Sequence, residues 1–292
     1  NDNVEFINGF ATFVDEKTIQ VDGKNYTADK FVLASGANSR KFPGFLDDDS
    51  RFLISDNIFE LKAMPKSILI VGGGPVGVEF ATFFHDFGVK VTIVDLANNF
   101  LNFYDADLGK YLISQYRKQG IDIHLETVIE SIDNQGENLK FKLSNGEELE
   151  SEVVLSSIGV IPNLDYLKAL NLESDRGRVK VDDNLMTSVS NIYAIGDVIG
   201  KSGSAYGAER EGLFVAHEIL GEFADFYKVD YEFFPDPVFC HPEVGTIGLS
   251  EKEVQEKGIE YVKAKSFYLA NGKALLKGSS AGFVKIIANK KT

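Results

Sequence analysis

The chain has 292 residues, with 30 Lys and Arg against 44 Asp and Glu and a formal net charge of -14. Its length allows about two domains, and its carboxylate surplus argues against a nucleic-acid surface, which needs clustered cations to neutralise phosphates. One cysteine, Cys240, excludes an intrachain disulfide or a Cys-x-x-Cys site, and no apolar run is long enough to span a bilayer.

Asn1-Asp2-Asn3 opens the chain without a signal-like apolar region, and the chain stops at Lys290-Lys291-Thr292 just after a strand-like run. Both ends read as cut, and a cytoplasmic compartment is expected. Val4 to Ile7, Ala11 to Val14, Thr18 to Val21 and Asn25 to Thr27 alternate as an antiparallel meander with a turn at Asp22-Gly23. Lys30 to Ala34 then reads as a buried strand running into Ser35-Gly36-Ala37. Met64-Pro65 places a boundary near residue 63.

The next segment is the most informative. Ile68 to Val71 is an apolar strand, Gly72, Gly74 and Gly77 give G-x-G-x-x-G, and Val78 to Phe87 continue as a helix. The first glycine permits a tight turn, the second lets backbone approach a pyrophosphate, and the third lets helix pack on strand. Amides at the helix start face the phosphates with the positive end of the helix dipole. Lys90 to Asp95 forms the second strand, and Asp95, 23 residues after Gly72, stands where a ribose hydroxyl acceptor is expected. Leu96-Ala97-Asn98-Asn99 holds no cation for a 2′-phosphate, so NAD is favoured over NADP.

A helix from Asp105 to Gln119, a strand at Ile121 to Leu125 and alternating runs at 128–133, 138–143 and 147–149 follow. Val153 to Ile158 closes this doubly wound unit at Gly159. Beyond it come Val179 to Val181, a strand at Asn191 to Ile195 ending in Gly196-Asp197, and a helix from Ala208 to Leu220. From Phe234 the composition shifts to prolines and short strands, including 267–270 and 282–288, which reads as an α+β domain. His85, His124 and His217 fall in helix or strand segments without metal-ligand spacing, so no metal site is expected.

Ala34-Ser35-Gly36-Ala37, the glycine run from Gly72 to Glu79, and Thr187 to Asp197 occur in an order shared with a known family. The chain resembles the flavin-dependent pyridine nucleotide–disulfide oxidoreductases, in which an NAD domain is inserted into a flavin-binding fold. Ala208 to Gly212, Cys240-His241-Pro242-Glu243-Val244, Asn271 to Leu275 and Gly282 to Lys285 look most like its dihydrolipoamide dehydrogenase branch. The resemblance implies an α/β, glutathione reductase-like architecture. Residues 1–63 and 161–233 would form the FAD-binding domain, 64–160 the NAD-binding domain and 234–292 the start of an interface domain.

It also implies site residues. Asp197 would hold the ribityl chain of FAD, Gly203, Ser204, Ala205 and Tyr206 would approach the flavin ring, and Ala11, Ser35, Gly36 and Ala37 would contact the nucleotide half. For NAD, Gly72, Gly73, Gly74, Pro75, Val76, Gly77 and Val78 would surround the pyrophosphate. Asp95 would take the ribose, with Ile129 and Gly159 closing the site. Glu79 would stand near the contact of nicotinamide with flavin, or would otherwise be a helix N-terminal charge worth about a few tenths of a kcal/mol.

The implied reaction passes electrons from dihydrolipoamide, or another dithiol, through a disulfide and FAD to NAD⁺. The implied partners are a second copy of the chain and a 2-oxo acid dehydrogenase complex carrying the dithiol, with neither nucleic acid nor membrane. Several features depart from the family. The chain has no cysteine pair, no first FAD fingerprint and no C-terminal His–Glu pair, Asp95 replaces a commoner Glu, and Val160 replaces a basic residue. Cys240 is expected to be buried and inert and His241 to serve packing, so no catalytic residue is assigned. A two-cofactor enzyme without a disulfide is the alternative, of the transhydrogenase, single-cysteine NADH oxidase or CoA-disulfide reductase type. A non-catalytic nucleotide-binding fragment is the other rival.

Overall fold

The computed structural model describes residues 3–222 and 224–291. They fall into two compact units, residues 1–38 with 160–234 and residues 39–159 with 235–292.

The second unit is built on a five-stranded sheet in the order Phe52–Leu53, Val153–Ser156, Ser67–Val71, Lys90–Val94, Asp122–His124. Every neighbouring pair is parallel. The strands are runs of Val, Ile and Leu because a parallel sheet is covered on both faces. Alternate side chains point to opposite faces, and the clusters follow that rule. Ile68 and Ile70 join Val91, Ile93 and Leu155 in one core, packed with helices α1 (Pro75–Asp86) and α2 (Ala106–Gln119). Leu69, Val94 and Val154 face the other side, where Leu139, Phe141 and Leu143 of an antiparallel sheet cover them. That sheet comprises Ile129–Asp133, Leu139–Leu143 and Glu148–Ser151. In α2 the buried residues Gly109, Leu112, Ile113 and Tyr116 recur at helical spacing, and Gly120 ends the helix in the left-handed region.

The remainder of this unit holds an Asp236–Val238 and Val244–Thr246 hairpin, the short helix α3 (Glu251–Glu256) with a capping box, and an antiparallel pair, Tyr261–Phe267 with Phe283–Asn289. In the first unit, Ala11–Asp15, Thr18–Val21 and Lys24–Thr27 form a meander, and Phe31–Leu33 runs parallel to Ile192–Ala194. The long helix Ala205–Leu220 packs Phe214 and Val215 into a core with Phe13, Leu33, Ile192 and Ala194. Among the described residues no helix is long and apolar enough to cross a membrane, and no cluster could hold a metal ion.

The structure corrects several expectations. Val4 to Ile7 is not a strand: Val4 and Phe6 are exposed and no described neighbour pairs with them. Both long helices that follow glycine-rich loops start three residues earlier than expected, at Pro75 and Ala205, because capping geometry at Gly74 and Ser204 precedes the apolar periodicity. Residues 268–270 form a 3₁₀ turn rather than a strand. Residues 39–63 fall in the second unit, not with the meander. Phe52–Leu53 extends the parallel sheet beside Val153–Ser156, and Phe42 and Phe52 are buried in that unit's core.

A half-buried ion cluster ties the C-terminal hairpin to α2. The Lys285 ammonium donates to Asp105 at 2.8 Å and to Glu251 at 2.7 Å, and it lies 3.0 Å from Asp107. Burial opposes its charge, but hydrogen bonds to Asp105, Glu251 and Asp107 outweigh burial and raise its pKa. Bonds from Lys263, Lys285 and Tyr261 hold the Glu251 carboxyl down to about 2, and Lys265 and Lys285 lower Asp107. Lys285→Met leaves these carboxylates without their central cation and is expected to cost about 3 kcal/mol in urea unfolding at about pH 7. The depressed acids contribute stability that is full above about pH 5 and is lost as pH falls through their folded values. The raised Lys285 contributes below about pH 10 and is lost above it. The stability gap between wild type and variant should therefore close on acidification towards about pH 2.

Candidate functional site

Two constellations emerge, one in each unit. In the second unit, the Ser67–Val71 strand delivers the chain into Gly72, whose amide still donates to Val94 O at 2.9 Å. Gly72 has φ +110°, and a Cβ built there would lie 2.5 Å from Ser157 O. At Gly77 a Cβ would lie 1.9 Å from Gly72 O, so the first turn of α1 can seat on the strand end only without a side chain. Gly74 instead borders open space, and as N-cap it supplies no side chain to the helix amides. Pro75 occupies the first position of α1, where its missing N–H costs nothing. The start of α1 thus offers uncapped amides beside a position with room for an anion.

Asp95 is tied directly into this turn. Its Oδ2 accepts the Gly73 amide at 2.6 Å and its Oδ1 accepts the Ala97 amide at 2.7 Å. Its backbone N–H donates to His124 O at 2.9 Å. An ionised carboxylate offers about four lone-pair positions, so two remain for a diol after the two backbone bonds. Phe100 packs its ring against Gly73, and the Leu101 amide donates to Gly73 O at 3.0 Å.

Val78 is buried beneath the helix and Val76 faces outward. Ile129 packs half-buried on the antiparallel-sheet cluster, and Gly159 O accepts the Arg40 amide at 2.8 Å. Neither is hydrogen-bonded to the glycine turn. Ser157 is, with its hydroxyl donating to Val71 O at 2.8 Å and Gly72 O at 2.9 Å.

Glu79 lies beyond the first turn of α1, which removes the helix-terminus reading. Its Oε1 accepts the Phe239 amide at 2.9 Å. That bond belongs to a seam in which the Tyr104 hydroxyl donates to Asp236 at 2.8 Å and the His241 amide donates to Thr82 Oγ1 at 3.0 Å. His241 is exposed and lies between two strands rather than at a strand start, so the packing role expected for its ring is not seen. Cys240 is buried as expected, and burial followed by the Glu79 charge pushes its thiol up to about 11.

In the first unit the Phe31–Leu33 strand ends in the 35–37 loop. Asn163 clamps that loop: its side-chain amide donates to Ser35 O at 3.0 Å, its backbone amide donates to Gly36 O, and its backbone carbonyl accepts the Ser35 hydroxyl. Gly36 borders open space. Ala11 sits in the meander opposite Val21, with no hydrogen bond to the loop. Asp197 occupies a 3₁₀ turn at the end of the Ile192–Ala194 strand, half-buried and with its carboxylate free of hydrogen bonds among the described residues. Gly203 leads into Ser204, whose Oγ accepts the Gly207 amide at 3.2 Å, and Ala205 and Tyr206 are the helix's first turn.

The sequence carries no signal for the contacts of Ser157 and Asn163, and although Glu211 lies in the Ala208 to Gly212 run, only the structure shows its buried bond to the Gly196 amide at 2.6 Å.

Comparison with known proteins fits this geometry. Residues 1–212 match the pyridine nucleotide-disulphide oxidoreductase family, and residues 234–292 match that family's dimerisation domain. The chain belongs to this family. Dihydrolipoyl dehydrogenase of Mycobacterium tuberculosis is 35% identical over 98% of the chain and 63% of its own length. The Chlamydia pneumoniae enzyme of that name is 32% identical over 100% of the chain and 64% of its length. Among solved structures, the HOCl-induced flavoprotein disulfide reductase RclA from Escherichia coli superposes with a TM-score of 0.88 at 27% identity, covering 99% of this chain and 67% of that one. The chain therefore spans less than two thirds of the curated relatives it matches here. The family supplies the α/β flavoprotein architecture and the FAD and NAD(H) chemistry expected above.

Cys240 is placed to be inert, because the thiolate is the reactive form. With its thiol at about 11 against an ordinary value near about 8.5, modification by a disulfide reagent at about pH 8 should run at least roughly tenfold slower in the folded than in the urea-unfolded chain.

Proposed function

We propose that this chain carries the NAD site and part of the FAD site of a flavin-dependent, dihydrolipoyl dehydrogenase-like oxidoreductase. The observation that carries this reading is the coupling of Asp95 to the glycine turn. The acid expected to take a ribose hydroxyl and the loop expected to cradle the pyrophosphate are joined by one 2.6 Å bond. Gly72 to Val78 would hold the pyrophosphate through backbone amides, Asp95 the adenine ribose, and Ile129 and Gly159 the flanks of the site. Glu79, anchored on the Phe239 amide, would stand at the nicotinamide end.

Asp197 would hold the ribityl hydroxyls of FAD. Gly203 to Tyr206 would present the helix start to the ring, and Ser35 to Ala37 with Ala11 would meet the nucleotide half. The donor set suits these groups: an unpartnered carboxylate for hydroxyls, open glycines at Gly36, Gly74 and Gly203, and uncapped amides for phosphates. FAD supplies two-electron chemistry and NAD⁺ a hydride acceptor when bound. The protein's own residues bind, orient and shield them.

In the whole protein the electron source would be dihydrolipoamide or another dithiol, free or carried on a 2-oxo acid dehydrogenase complex. Dimerisation through the region of residues 234–292 would accompany it. One observation favours a second reading, a two-cofactor oxidoreductase working without a disulfide: the sole cysteine of this chain is buried with a raised pKa.

Titration of the chain with NADH and NADPH by nucleotide fluorescence distinguishes the cofactors. NADH is expected to bind at least roughly tenfold tighter, because a 2′-phosphate would meet Asp95 with no cation in residues 96–99. Tighter NADPH binding would overturn the NAD assignment. A dihydrolipoamide-dependent NAD⁺ reduction assay on the same chain should give no turnover, since a lone inert thiol cannot exchange with a dithiol.

A further inference from the structure

Glu211 is a carboxylate with no exposed surface in the middle of the Ala205–Leu220 helix. No cation lies within ion-pairing distance among the described residues. Instead its Oε2 accepts the Gly196 amide at 2.6 Å and its Oε1 accepts the Tyr231 hydroxyl at 2.9 Å. A buried carboxylate without a cation is costly, and here two hydrogen bonds hold it in place.

The bond to Gly196 falls on the residue before Asp197. Gly196 has φ +71°, and a Cβ there would press on Ala208 Cβ at 3.3 Å, so the strand end crosses the helix closely at this point. The same helix carries Ser204 to Tyr206 at its start. One carboxylate thereby staples the Gly-Asp turn to the helix whose first turn completes the candidate flavin site.

We infer that Glu211 is a positioning residue of this site, holding the Gly196 amide so that the Asp197 carboxylate stays in register with the amides at the start of the helix. The inference rests on the assignment of that site to FAD. The charged and titratable groups whose influence reaches Glu211 are Gly196's neighbour Asp197, Lys201 and Tyr231, with Lys201 5.4 Å from the Tyr231 ring centre. Burial pushes the Glu211 pKa up. The bonds from Gly196 and Tyr231 and the Lys201 charge oppose that, and the Asp197 charge adds to it, for a net rise. The charged acceptor should therefore be lost on acidification earlier than an ordinary glutamate would be.

The test uses the full chain as wild type, Glu211→Gln and Tyr231→Phe. Amide NMR should show the wild-type Gly196 proton far downfield, shifting with pH as Glu211 titrates. In Glu211→Gln that pH transition should vanish and Gly196 exchange should quicken roughly tenfold, as expected for loss of a hydrogen bond to a charged group. FAD titration, read by quenching of flavin fluorescence and the perturbed visible spectrum, should show weak binding to wild type, which carries only part of the FAD site, and roughly tenfold weaker binding to Glu211→Gln. Tyr231→Phe removes one of the two bonds and should give a smaller loss, and it carries the test if circular dichroism shows Glu211→Gln unfolded. An unmoved Gly196 amide, or FAD affinity in both variants equal to wild type, overturns the positioning role. No FAD uptake by folded wild type overturns the flavin assignment itself and the role that rests on it, whatever the amide reports about the Glu211–Gly196 bond.

Discussion

The bond between the Gly73 amide and the Asp95 carboxylate is the constraint around which the second unit's site is arranged. It joins the ends of two neighbouring parallel strands just where both leave the sheet. A charge-assisted bond of 2.6 Å fixes the turn's amide plane and the acid's rotamer together. The close approaches at Gly72 and Gly77 then leave no room for the loop to settle differently. On the proposed reading the start of α1 would hold an anion without help from a basic side chain, which is how a strongly acidic protein could accept an anionic nucleotide.

The same economy of means recurs in the first unit with different parts. A loop that follows a short strand is held by a residue far away in sequence: Asn163 makes its contacts to Ser35 across 128 positions. The Gly196-Asp197 turn is held by Glu211 from the helix that follows it. In each case a residue outside the expected contact set spends its hydrogen bonds holding the backbone of that set. Glu211 takes the Gly196 amide, and the Asp197 carboxylate next to it makes no hydrogen bond among the described residues. Such division between contact and support keeps a site geometrically defined before any ligand arrives.

Much of this was legible in the sequence, for identifiable reasons. The parallel strands announced themselves as unbroken Val, Ile and Leu runs, and the glycine spacing together with Asp95 carried the dinucleotide reading. The element boundaries were less legible. Helix starts at Pro75 and Ala205 are set by capping geometry, which begins before any apolar periodicity can be counted. Val4 to Ile7 looks like a strand by composition, yet a strand exists only where a partner is available. Residues 39–63 are expected with the first part of the FAD-binding domain, but the two-residue strand Phe52–Leu53 is too short to be recognised by alternation, and its pairing with Val153–Ser156 places the segment in the other unit.

By itself the sequence determined the fold class, the family, the glycine turn with its acid and the lack of a cysteine pair in this chain. Those signals are local, carried by spacing over a few residues or by composition. Only the tertiary structure decided which groups support the sites: Ser157 on the Val71 and Gly72 carbonyls, Asn163 on the 35–36 loop, Phe239 on Glu79, and Glu211 on Gly196. Each rests on one to three polar contacts, three of the sets between residues more than 80 positions apart and the fourth made across the bend between a strand and its following helix. Such contacts impose no period on the chain, so they become visible only when burial brings a donor and an acceptor together and leaves them no water to bond instead.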